Sequence, residues 1–336
     1  MTLITLAHGG GGKAMRDLIR DVFVSRFKPE SMEDQARLSA PGMLAPGARI
    51  AFTTDAYVVS PLEFPGGDIG RLAVFGTVND LAVGGAEPLW LSAAFILEEG
   101  FPIERLRRIA DSMAAAALEA GVRIVTGDTK VVERGKGDGV FISTSGVGLI
   151  PPGCDLAAAH VRVGDAVLIN GTLGDHGATI MATRAELALD TAIQSDSRPL
   201  HRLMQAVLAA APGVHAARDA TRGGLATVLN EIAEASGTAI QIDEEKLPLR
   251  PEVRGLTEIL GLDPLYLANE GLLALFVPAA EADAALAALR ADPAGADAAI
   301  IGHVVDGPAG RVVLRTAFGG LRRLELLVGE QLPRIC

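Results

Sequence analysis

Apolar residues along this 336-residue chain recur at two different spacings, and each spacing predicts one type of element. Apolar positions three and four residues apart predict helices, whereas short apolar runs between turn residues predict strands. The predicted helices cover residues 15–23, 69–81, 103–120, 220–236 and 279–290, and another is predicted to follow residues 171–177. The predicted strands cover residues 49–53, 56–60, 88–97, 122–125, 139–149, 166–170, 272–277 and 299–305. Alternating strands and helices predict an α/β fold in layers.

The length of the chain and its turn residues predict two domains, since the chain is too long for one ordinary core. Pro151-Pro152-Gly153 is the clearest break, and we place the domain boundary there. The predicted organisation is a glycine-rich segment with a helix, an N-terminal domain, a C-terminal domain and a flexible tail, at residues 1–40, 41–150, 151–328 and 329–336. The tail has no periodic pattern, is predicted to be extended and carries Cys336.

Composition narrows the class of protein. The formal net charge of −11 argues against non-specific binding to nucleic acid or to an anionic membrane, because both attract basic surfaces. The longest apolar stretch contains Asn79 and Asp80, which a membrane span does not tolerate cheaply. Cys154 and Cys336 are too few for a disulfide framework, and the N-terminus lacks a secretory signal. We therefore expect a cytoplasmic protein with no membrane or nucleic-acid partner, in which Cys154 is structural.

Four aspartates in the N-terminal half lie at predicted turns or strand ends beside small residues. They are Asp55, Asp68, Asp80 and Asp128. Converging carboxylates of this kind suit Mg²⁺, which prefers hard oxygen ligands and bridges phosphates. Each aspartate could instead form a turn or cap a helix. Asp80 differs from the others because it interrupts an apolar run, where an unpaired charge is costly.

Two glycine-rich segments are candidate phosphate sites. The first is His8-Gly-Gly-Gly-Gly-Lys13, whose backbone amides and lysine could approach phosphate, although it lacks P-loop spacing and could equally be a linker. The second contains Asp219, Arg222, Gly223 and Gly224 just before a predicted helix, where free N–H groups and the helix dipole favour an anion. Asp219 could add a metal ligand and Arg222 a phosphate contact. A capped helix with a surface ion pair is the alternative for this second segment.

Two further residues are candidates for bond making and proton transfer. Glu270 immediately precedes a predicted buried strand, so it is either a capping group or a general base whose pKa is raised by burial. Cys336 is the last residue, and a thiol there could be presented like a swinging arm. The chain's own carboxylate should raise the pKa of this thiol, and Arg334 could partly offset that effect. An accidental cysteine at a frayed terminus is the alternative.

Taken together, the motifs give the whole chain a resemblance to the AIR-synthase-like ATP-binding (PurM-like) superfamily. The segments that carry the resemblance are His8–Lys13, Thr54-Asp55, Gly67–Arg71, Val78–Pro88, Gly127–Lys130, Asp219–Leu225, Asn269–Gly271 and Pro333-Arg-Ile-Cys336. Most of them are typical of the superfamily as a whole. The closing Pro-Arg-Ile-Cys is more specific, and within the superfamily the chain resembles the HypE family of hydrogenase maturation proteins.

The resemblance implies a fold and a nucleotide site. It implies two α/β domains, with N-terminal sheets that pair across a homodimer into a shared β-barrel. It also implies ATP and Mg²⁺ in a cleft, with Asp55, Asp68, Asp80 and Asp219 as the metal- or phosphate-coordinating positions. The wider cofactor-binding set is Lys13, Asp55, Asp68, Asp80, Asp128, Asp219, Arg222, Gly223 and Gly224.

The resemblance also implies a reaction and partners. A carbamoyltransferase, HypF, places a carbamoyl group on Cys336, and the protein dehydrates this thiocarboxamide to a thiocyanate with ATP. The cyano group then passes to iron held by a HypC–HypD complex, for the active site of [NiFe] hydrogenase. An amide oxygen leaves poorly, so the γ-phosphoryl group must first be transferred to it. We expect Glu270 to remove protons from the amide nitrogen, paired with Lys130.

Other functions remain open at this stage. A selenophosphate synthetase would be expected to carry a cysteine or selenocysteine in the N-terminal glycine loop, and this loop has none. AIR synthase and thiamine-phosphate kinase would use the same acidic cleft but have no use for a terminal thiol. A non-catalytic carrier could display Cys336 to partners, yet it would not need an acidic site for metal and nucleotide.

Overall fold

Two β-sheets organise the chain, one in each half. The computed structural model describes residues 3–5, 18–28, 45–184, 192–326 and 334–336. The glycine loop with Lys13, and the tail before Arg334, therefore lie outside the described residues. Of the predicted N-terminal helix, Ile19–Val24 form a π-helical stretch that continues as Ser25–Phe27.

The N-terminal sheet has four strands in the order β1-β6-β4-β5. They are β1 (Arg49–Tyr57), β4 (Glu87–Glu98), β5 (Arg123–Val132) and β6 (Val140–Ile150), and a short hairpin adds β2 (Glu63–Phe64) and β3 (Gly67–Asp68). The prediction of separate strands at 49–53 and 56–60 is wrong. Continuous pairing with β6, from Arg49 opposite Ile150 to Tyr57 opposite Ile142, carries β1 straight through Asp55.

Helix α1 (Ile69–Val83) is buried on almost every side, as expected for a helix that is apolar all round. It packs against β1 and β6 on one side, against α2 (Ile103–Ala120) on another, and against the C-terminal half. The predicted helices at 69–81 and 103–120 are thereby confirmed, and Gly121 ends α2 in a left-handed conformation.

The C-terminal sheet has seven strands in the order β13-β12-β9-β11-β7-β10-β8. They are β7 (Ala166–Ile169), β8 (Ala216–Asp219), β9 (Ala239–Asp243), β10 (Leu273–Val277), β11 (Ala299–Val305), β12 (Arg311–Arg315) and β13 (Leu321–Leu324). Both faces are covered, since alternate residues of β7 and β10 belong to two different core clusters. The sheet is mainly antiparallel, with one parallel pair, β9 and β12.

Five further helices lie in the described part of the C-terminal half. They are α3 (Asp175–Arg184), α4 (His201–Ala210), α5 (Gly224–Ser236), α6 (Pro251–Leu260) and α7 (Ala282–Arg290). Short 3₁₀ turns occur at Ala158–His160, Glu244–Lys246, Pro264–Tyr266, Ala279–Glu281 and Pro293–Gly295. Sequence patterns missed the strands β8, β9, β12 and β13 and the helices α4 and α6. Short strands that lack a continuous apolar run give little signal.

The N-terminal sheet is open. Strands β1 and β5 are its edges, so no barrel closes within the described part of the chain, and the barrel predicted across a homodimer needs a second copy. Among the described residues, no helix combines the length and the apolar character required to cross a membrane.

Candidate active site

Asn269 ties together three loops at one end of the C-terminal sheet. Its Nδ2 donates to the carbonyl of Ala220 at 2.8 Å, and its Oδ1 accepts from the N–H of Gly174 at 2.7 Å. The residue itself is 1% exposed, so these bonds are shielded from water. The loop before α3, the loop before α5 and the loop that carries Glu270 therefore meet at a single point.

Asn79 joins the N-terminal half to that point. Its Oδ1 accepts from the N–H of Leu200 at 2.8 Å, and its Nδ2 donates to the carbonyl of Arg198 at 3.0 Å. Because Asn79 precedes Asp80, these bonds fix the C-terminal end of α1 beside the Glu270 loop. Sequence reasoning treated Asn79 only as a polar interruption. Its burial inside an apolar helix was the signal that it needed partners.

Three of the predicted aspartates converge here: Asp55 from β1, Asp80 from α1 and Asp219 from β8. Burial, then the negative charge of Asp219, raises the pKa of Asp80 to about 7, although Thr53 Oγ1 donates to Asp80 Oδ2 at 2.9 Å. Burial also raises the pKa of Asp219 to about 6, with Asp55 adding to the effect. Repulsion between these partly buried carboxylates disfavours their ionised forms, and a bound cation would relieve that repulsion.

The donor set fits Mg²⁺ shared with a phosphate. Among the described residues, no three His, Cys, Asp or Glu side chains form a group that could hold a metal ion by themselves. Mg²⁺, however, is usually held by one or two carboxylates together with substrate phosphates and waters. Asp80 and Asp219 can supply those carboxylates, with Asp55 beside them.

Asp68 lies away from this cluster. Its Oδ1 accepts from the N–H groups of Gly70 and Arg71 at 2.7 and 3.0 Å, so it caps the N-terminus of α1. Twelve residues of helix separate it from Asp80, which at 1.5 Å per residue is about 18 Å. In the single chain the structure therefore does not bring Asp68 together with the other aspartates.

Asp128 and Lys130 also lie elsewhere, on the outer face of the N-terminal sheet. Both are exposed and alternate with Thr129, which is 3% exposed on the inner face. Lys130 Nζ pairs with an Asp128 carboxylate oxygen at 2.9 Å, which lowers the pKa of Asp128. The expected pairing of Lys130 with Glu270 does not form within one chain, because Asp55 and its neighbours face the opposite, helix-covered side.

Glu270 is a buried acid next to the aspartate cluster. It is 3% exposed, and its Oε1 has no hydrogen-bond partner among the described residues. Its backbone N–H donates to Asp196 Oδ1 at 3.0 Å. Burial is the main cause that raises the pKa of Glu270 well above its usual value, followed by the charges of Asp196 and Asp219. A buried carboxyl group with a raised pKa is a candidate for proton transfer.

The two glycines before α5 adopt a backbone that other residues disfavour. Gly223 and Gly224 have φ angles of +77° and +63°. A Cβ on Gly224 would lie 2.5 Å from the carbonyl oxygen of Leu265 and 2.6 Å from that of Leu267. The segment thus packs backbone against backbone, and it presents the start of α5 and the exposed Arg222 side chain to the site.

The end of the chain is docked into this site. The N–H of Val58 donates to Cys336 O at 3.0 Å, and the N–H of Ser60 donates to Arg334 O at 3.2 Å. Ile335 is 3% exposed and belongs to the N-terminal core cluster, against which Cys336 packs. The three described tail residues are therefore ordered in an inward position, and the segment before them lies outside the described residues.

The Cys336 thiol sits in an acidic and partly buried environment. Burial, then the charge of Glu270, raises the pKa of this thiol well above its usual value, and Arg222 acts in the opposite direction. The expectation that Arg334 offsets the shift is wrong. Its guanidinium donates to the carbonyl of Val58 at 2.9 Å and pairs with Asp138, so it is engaged elsewhere. The docked thiol is neutral, which suits a covalent tether better than a nucleophile.

Sequence reasoning assigned no role to the residues that receive the tail. His176, Ser195 and Arg184 contact the tail directly or support those that do. The histidine lies in Gly-Thr-Leu-Gly-Asp-His-Gly, a segment that sequence reasoning used only to predict a helix start. A histidine between glycines at a helix start was the available signal. Its partner is 159 residues away and could not be read from spacing.

Comparison with known proteins adds independent information. The profile of the AIR synthase related protein N-terminal domain matches residues 32–150, and that of the C-terminal domain matches residues 162–315. The chain is 67% identical to the carbamoyl dehydratase HypE of Rhodobacter capsulatus over 333 residues, covering 99% of this chain and 98% of that one. A crystal structure of HypE in complex with ATP superposes with a TM-score of 0.94, at 48% identity and 99% coverage of both chains. A chain of a HypE–HypF complex superposes with a TM-score of 0.81, at 46% identity, covering 94% of this chain and 100% of that chain.

Proposed function

The chain belongs to the AIR synthase related protein family and, within it, to the carbamoyl dehydratase HypE family, and from this premise we propose the reaction that it carries out. It dehydrates a carbamoyl group carried on Cys336 to a thiocyanate at the expense of ATP, as a step in hydrogenase maturation. The observation that carries the proposal is the docked tail, since Cys336 lies beside Glu270 and the aspartate cluster.

The reaction balances as thiocarboxamide plus ATP giving thiocyanate, ADP and phosphate. The carbamoyl oxygen attacks the γ-phosphorus and the bond to ADP breaks, which turns a poor leaving group into phosphate. The C–O bond then breaks as the C≡N bond forms, and the nitrogen loses two protons, one to Glu270 and one that leaves with the phosphate. Glu270 accepts a proton from that nitrogen, because it is the carboxyl group next to the thiol and has an unpartnered oxygen.

The nucleotide is held where the loops meet. Backbone N–H groups of Gly223 and the start of α5 provide donors for phosphate oxygens, except that of Gly224, which donates to the carbonyl of Thr221 at 2.9 Å. Arg222 adds a positive charge. Asp80 and Asp219 hold Mg²⁺, and Asp55 supports them from β1. When bound, Mg²⁺ neutralises charge on the phosphates. Lys13 remains a predicted phosphate contact in a segment outside the described residues.

A second copy of the chain covers the outer face of the N-terminal sheet. Phe52 is 71% exposed, Ile50 is 62% exposed and Ile96 is 45% exposed on this face. An open apolar sheet face with free edges gains from pairing with a copy of itself. The barrel that the family resemblance implies is the closed form of such a pair, and Asp128 and Lys130 then lie at the subunit interface. Any catalytic role of Lys130 depends on that pairing.

Partners deliver and remove the group that Cys336 carries. A HypE protein has been crystallised with HypF, which supports HypF as the carbamoyl donor to this chain. A HypC–HypD complex receives the cyano group on its iron, and the cytoplasm is where these steps take place. A non-catalytic carrier is disfavoured, because a carrier has no reason to dock its thiol beside three carboxyl groups and an arginine.

Intact mass spectrometry tests the proposal. Protein carrying a carbamoyl group on Cys336 should lose the mass of one water when incubated with Mg-ATP, with ADP released. An adduct of unchanged mass after ATP has been consumed would refute the dehydratase function. Cys336→Ala should bind nucleotide normally but accept no carbamoyl group, whereas Cys154→Ala, the matched change at the other cysteine, should behave like the parent protein.

A further inference from the structure

The last three backbone carbonyl groups of the chain are all hydrogen-bonded in the docked tail. Arg334 O accepts from the N–H of Ser60 and from Arg184, and Cys336 O accepts from the N–H of Val58. Ile335 O accepts from Nε2 of His176 at 2.8 Å. We call Val58, Ser60, His176 and Arg184 the tail clasp. Within the clasp, only His176 and Arg184 use their side chains on the tail.

The protons around His176 have one consistent arrangement. A carbonyl oxygen only accepts, so Nε2 must carry the proton that is donated to Ile335 O. The ring is fully buried, and burial lowers the pKa of His176 to about 4, so the neutral ring leaves Nδ1 as an acceptor. Ser195 Oγ lies 2.8 Å from Nδ1 and itself accepts from the N–H of Ser197 at 3.2 Å. Ser195 therefore donates to Nδ1 and fixes the tautomer that grips the tail.

The contacts of the clasp are made to the backbone, not to the sulfur. The docked tail also needs them, because Arg334 has a φ of +54°, a left-handed conformation that is unfavourable for a residue other than glycine. Arg184 and Ser60 hold the carbonyl of this strained residue, and His176 holds the next one. A tail carrying a carbamoyl or a cyano group offers the clasp the same carbonyls as a tail with a free thiol.

From this geometry we propose that His176 is a positioning residue for dehydration, which orders the tail so that the group on Cys336 lies beside Glu270. The chemical consequence of this role rests on the proposed function, but His176 itself acts earlier, by holding the tail in its docked position before any bond is made or broken. His176 is packed edge-on against Phe64, with ring centroids 5.3 Å apart, so the imidazole has little freedom to turn away. Loss of its hydrogen bond should therefore release the tail without disturbing the aspartate cluster.

Alkylation of Cys336 measures docking directly, in the full-length protein with Cys154→Ala so that only one thiol reacts. His176→Phe keeps a ring against Phe64 but cannot donate, and we expect iodoacetamide to react roughly tenfold faster with Cys336 in this variant, the factor set by one buried hydrogen bond of about 1.4 kcal/mol. His176→Gln retains an N–H near the position of Nε2 and should restore most of the protection. The matched control is His201→Phe, another buried histidine, at the start of α4, which should alkylate at the parent rate.

The same variants are then carbamoylated and followed by intact mass with Mg-ATP. Loss of water should slow in His176→Phe by about the factor seen in alkylation and recover in His176→Gln, while the affinity for ATP stays constant. If His176→Phe alkylates at the parent rate, or if His176→Gln gives no rescue, the positioning role is wrong. If instead alkylation responds as expected but even the parent protein loses no water, the positioning role in docking survives and the proposed reaction fails.

Discussion

The pKa of Asp80 shows how strongly the surroundings of a single carboxylate affect its ionisation. Asp80 lies in the last turn of the buried helix α1, faces Asp219 from the other half of the chain and has Thr53 as its hydrogen-bond donor. A lone surface aspartate would be ionised at neutral pH, but burial raises the pKa of Asp80 to about 7. Ionising Asp80 in the ligand-free protein therefore costs free energy, and a bound cation can offset that cost.

Replacing Asp80 with Asn should separate stability from nucleotide binding. The folded pKa of Asp80 is about 7 and its unfolded value is 3.8, so its contribution to stability is complete below about pH 4 and is lost as the pH rises to about 7. At pH 8, Asp80→Asn should thus raise the free energy of unfolding of the ligand-free protein by about 1 kcal/mol. Calorimetry should show Mg-ATP bound at least about tenfold more weakly, because a metal ligand is lost.

The control for this change is the parent protein with ATP and a chelator in place of Mg²⁺, which should show a comparable loss of affinity. Normal affinity of Asp80→Asn for Mg-ATP would remove Asp80 from the metal site.

His176 should give the protein an acid-sensitive step in stability. Burial holds its folded pKa at about 4, below the usual value of 6.5, so the unfolded chain binds the extra proton first. The contribution of neutral His176 to the free energy of unfolding is therefore fully present above about pH 6.5. It falls by roughly 2–3 kcal/mol as the pH drops to about 4. Urea titrations across this range should show a shallower fall in His176→Gln.

Asp80, Asp219 and Glu270 contribute with the opposite sign, because their folded pKa values are raised. These groups are present in both proteins, so the difference between the two stability curves isolates the histidine. Parallel curves would show that the ring is protonated without penalty.

At the scale of an element, α5 carries two glycines with different tasks. Gly224, at its start, has a positive φ and approaches the carbonyls of Leu265 and Leu267. Gly237, at its end, has a φ of +67°, and no other atom lies within 4 Å of the place that a Cβ would take. The first glycine serves a close approach and the second serves only a helix end.

Alanine at these two positions should therefore give different results. Gly224→Ala should lower the free energy of unfolding by about 2–4 kcal/mol, because a clash adds to the strain of a positive φ, whereas Gly237→Ala should cost about 1 kcal/mol. Urea unfolding gives both values. ATP affinity should fall for Gly224→Ala alone. Equal effects of the two changes would contradict the close packing before α5.

At the scale of the whole molecule, the outer face of the N-terminal sheet is the feature that one chain leaves open. Its edges, β1 and β5, have no further strand among the described residues, and apolar side chains such as Phe52 and Ile50 stand on its surface. Covering this face with a second chain would bury that surface and satisfy the free edges.

A charged side chain on the outer face of the N-terminal sheet should therefore prevent dimerisation. We expect light scattering to give the mass of two chains for the parent protein and of one chain for Phe52→Asp at micromolar concentration, since a buried unpaired carboxylate is costly. Phe318→Asp is the matched control, because Phe318 is 100% exposed in the turn between β12 and β13. A parent protein with the mass of one chain would contradict the proposed pairing.

The sequence by itself determined the elements with a clear apolar pattern and much of the chemistry. The periodic runs that became α1, α2 and α5, and the apolar runs that became β4, β6, β7 and β10, are signals that local spacing carries. Asp80 inside an apolar run, paired glycines before a helix and a terminal cysteine likewise stand out without a structure. These signals also gave the resemblance that the comparisons confirmed.

Only the tertiary structure decided which of the candidate residues meet. Asp68, Asp80 and Asp128 look alike in sequence but have different places in the fold. Asp68 caps a helix, Asp80 belongs to the shared aspartate cluster and Asp128 lies on the outer face of the N-terminal sheet. The hydrogen bond from His176 to the carbonyl of Ile335 joins residues 159 positions apart. Spacing along a chain specifies which residues share one helix or strand face. Contacts between elements depend on how their buried faces pack, and that packing is a property of the whole fold.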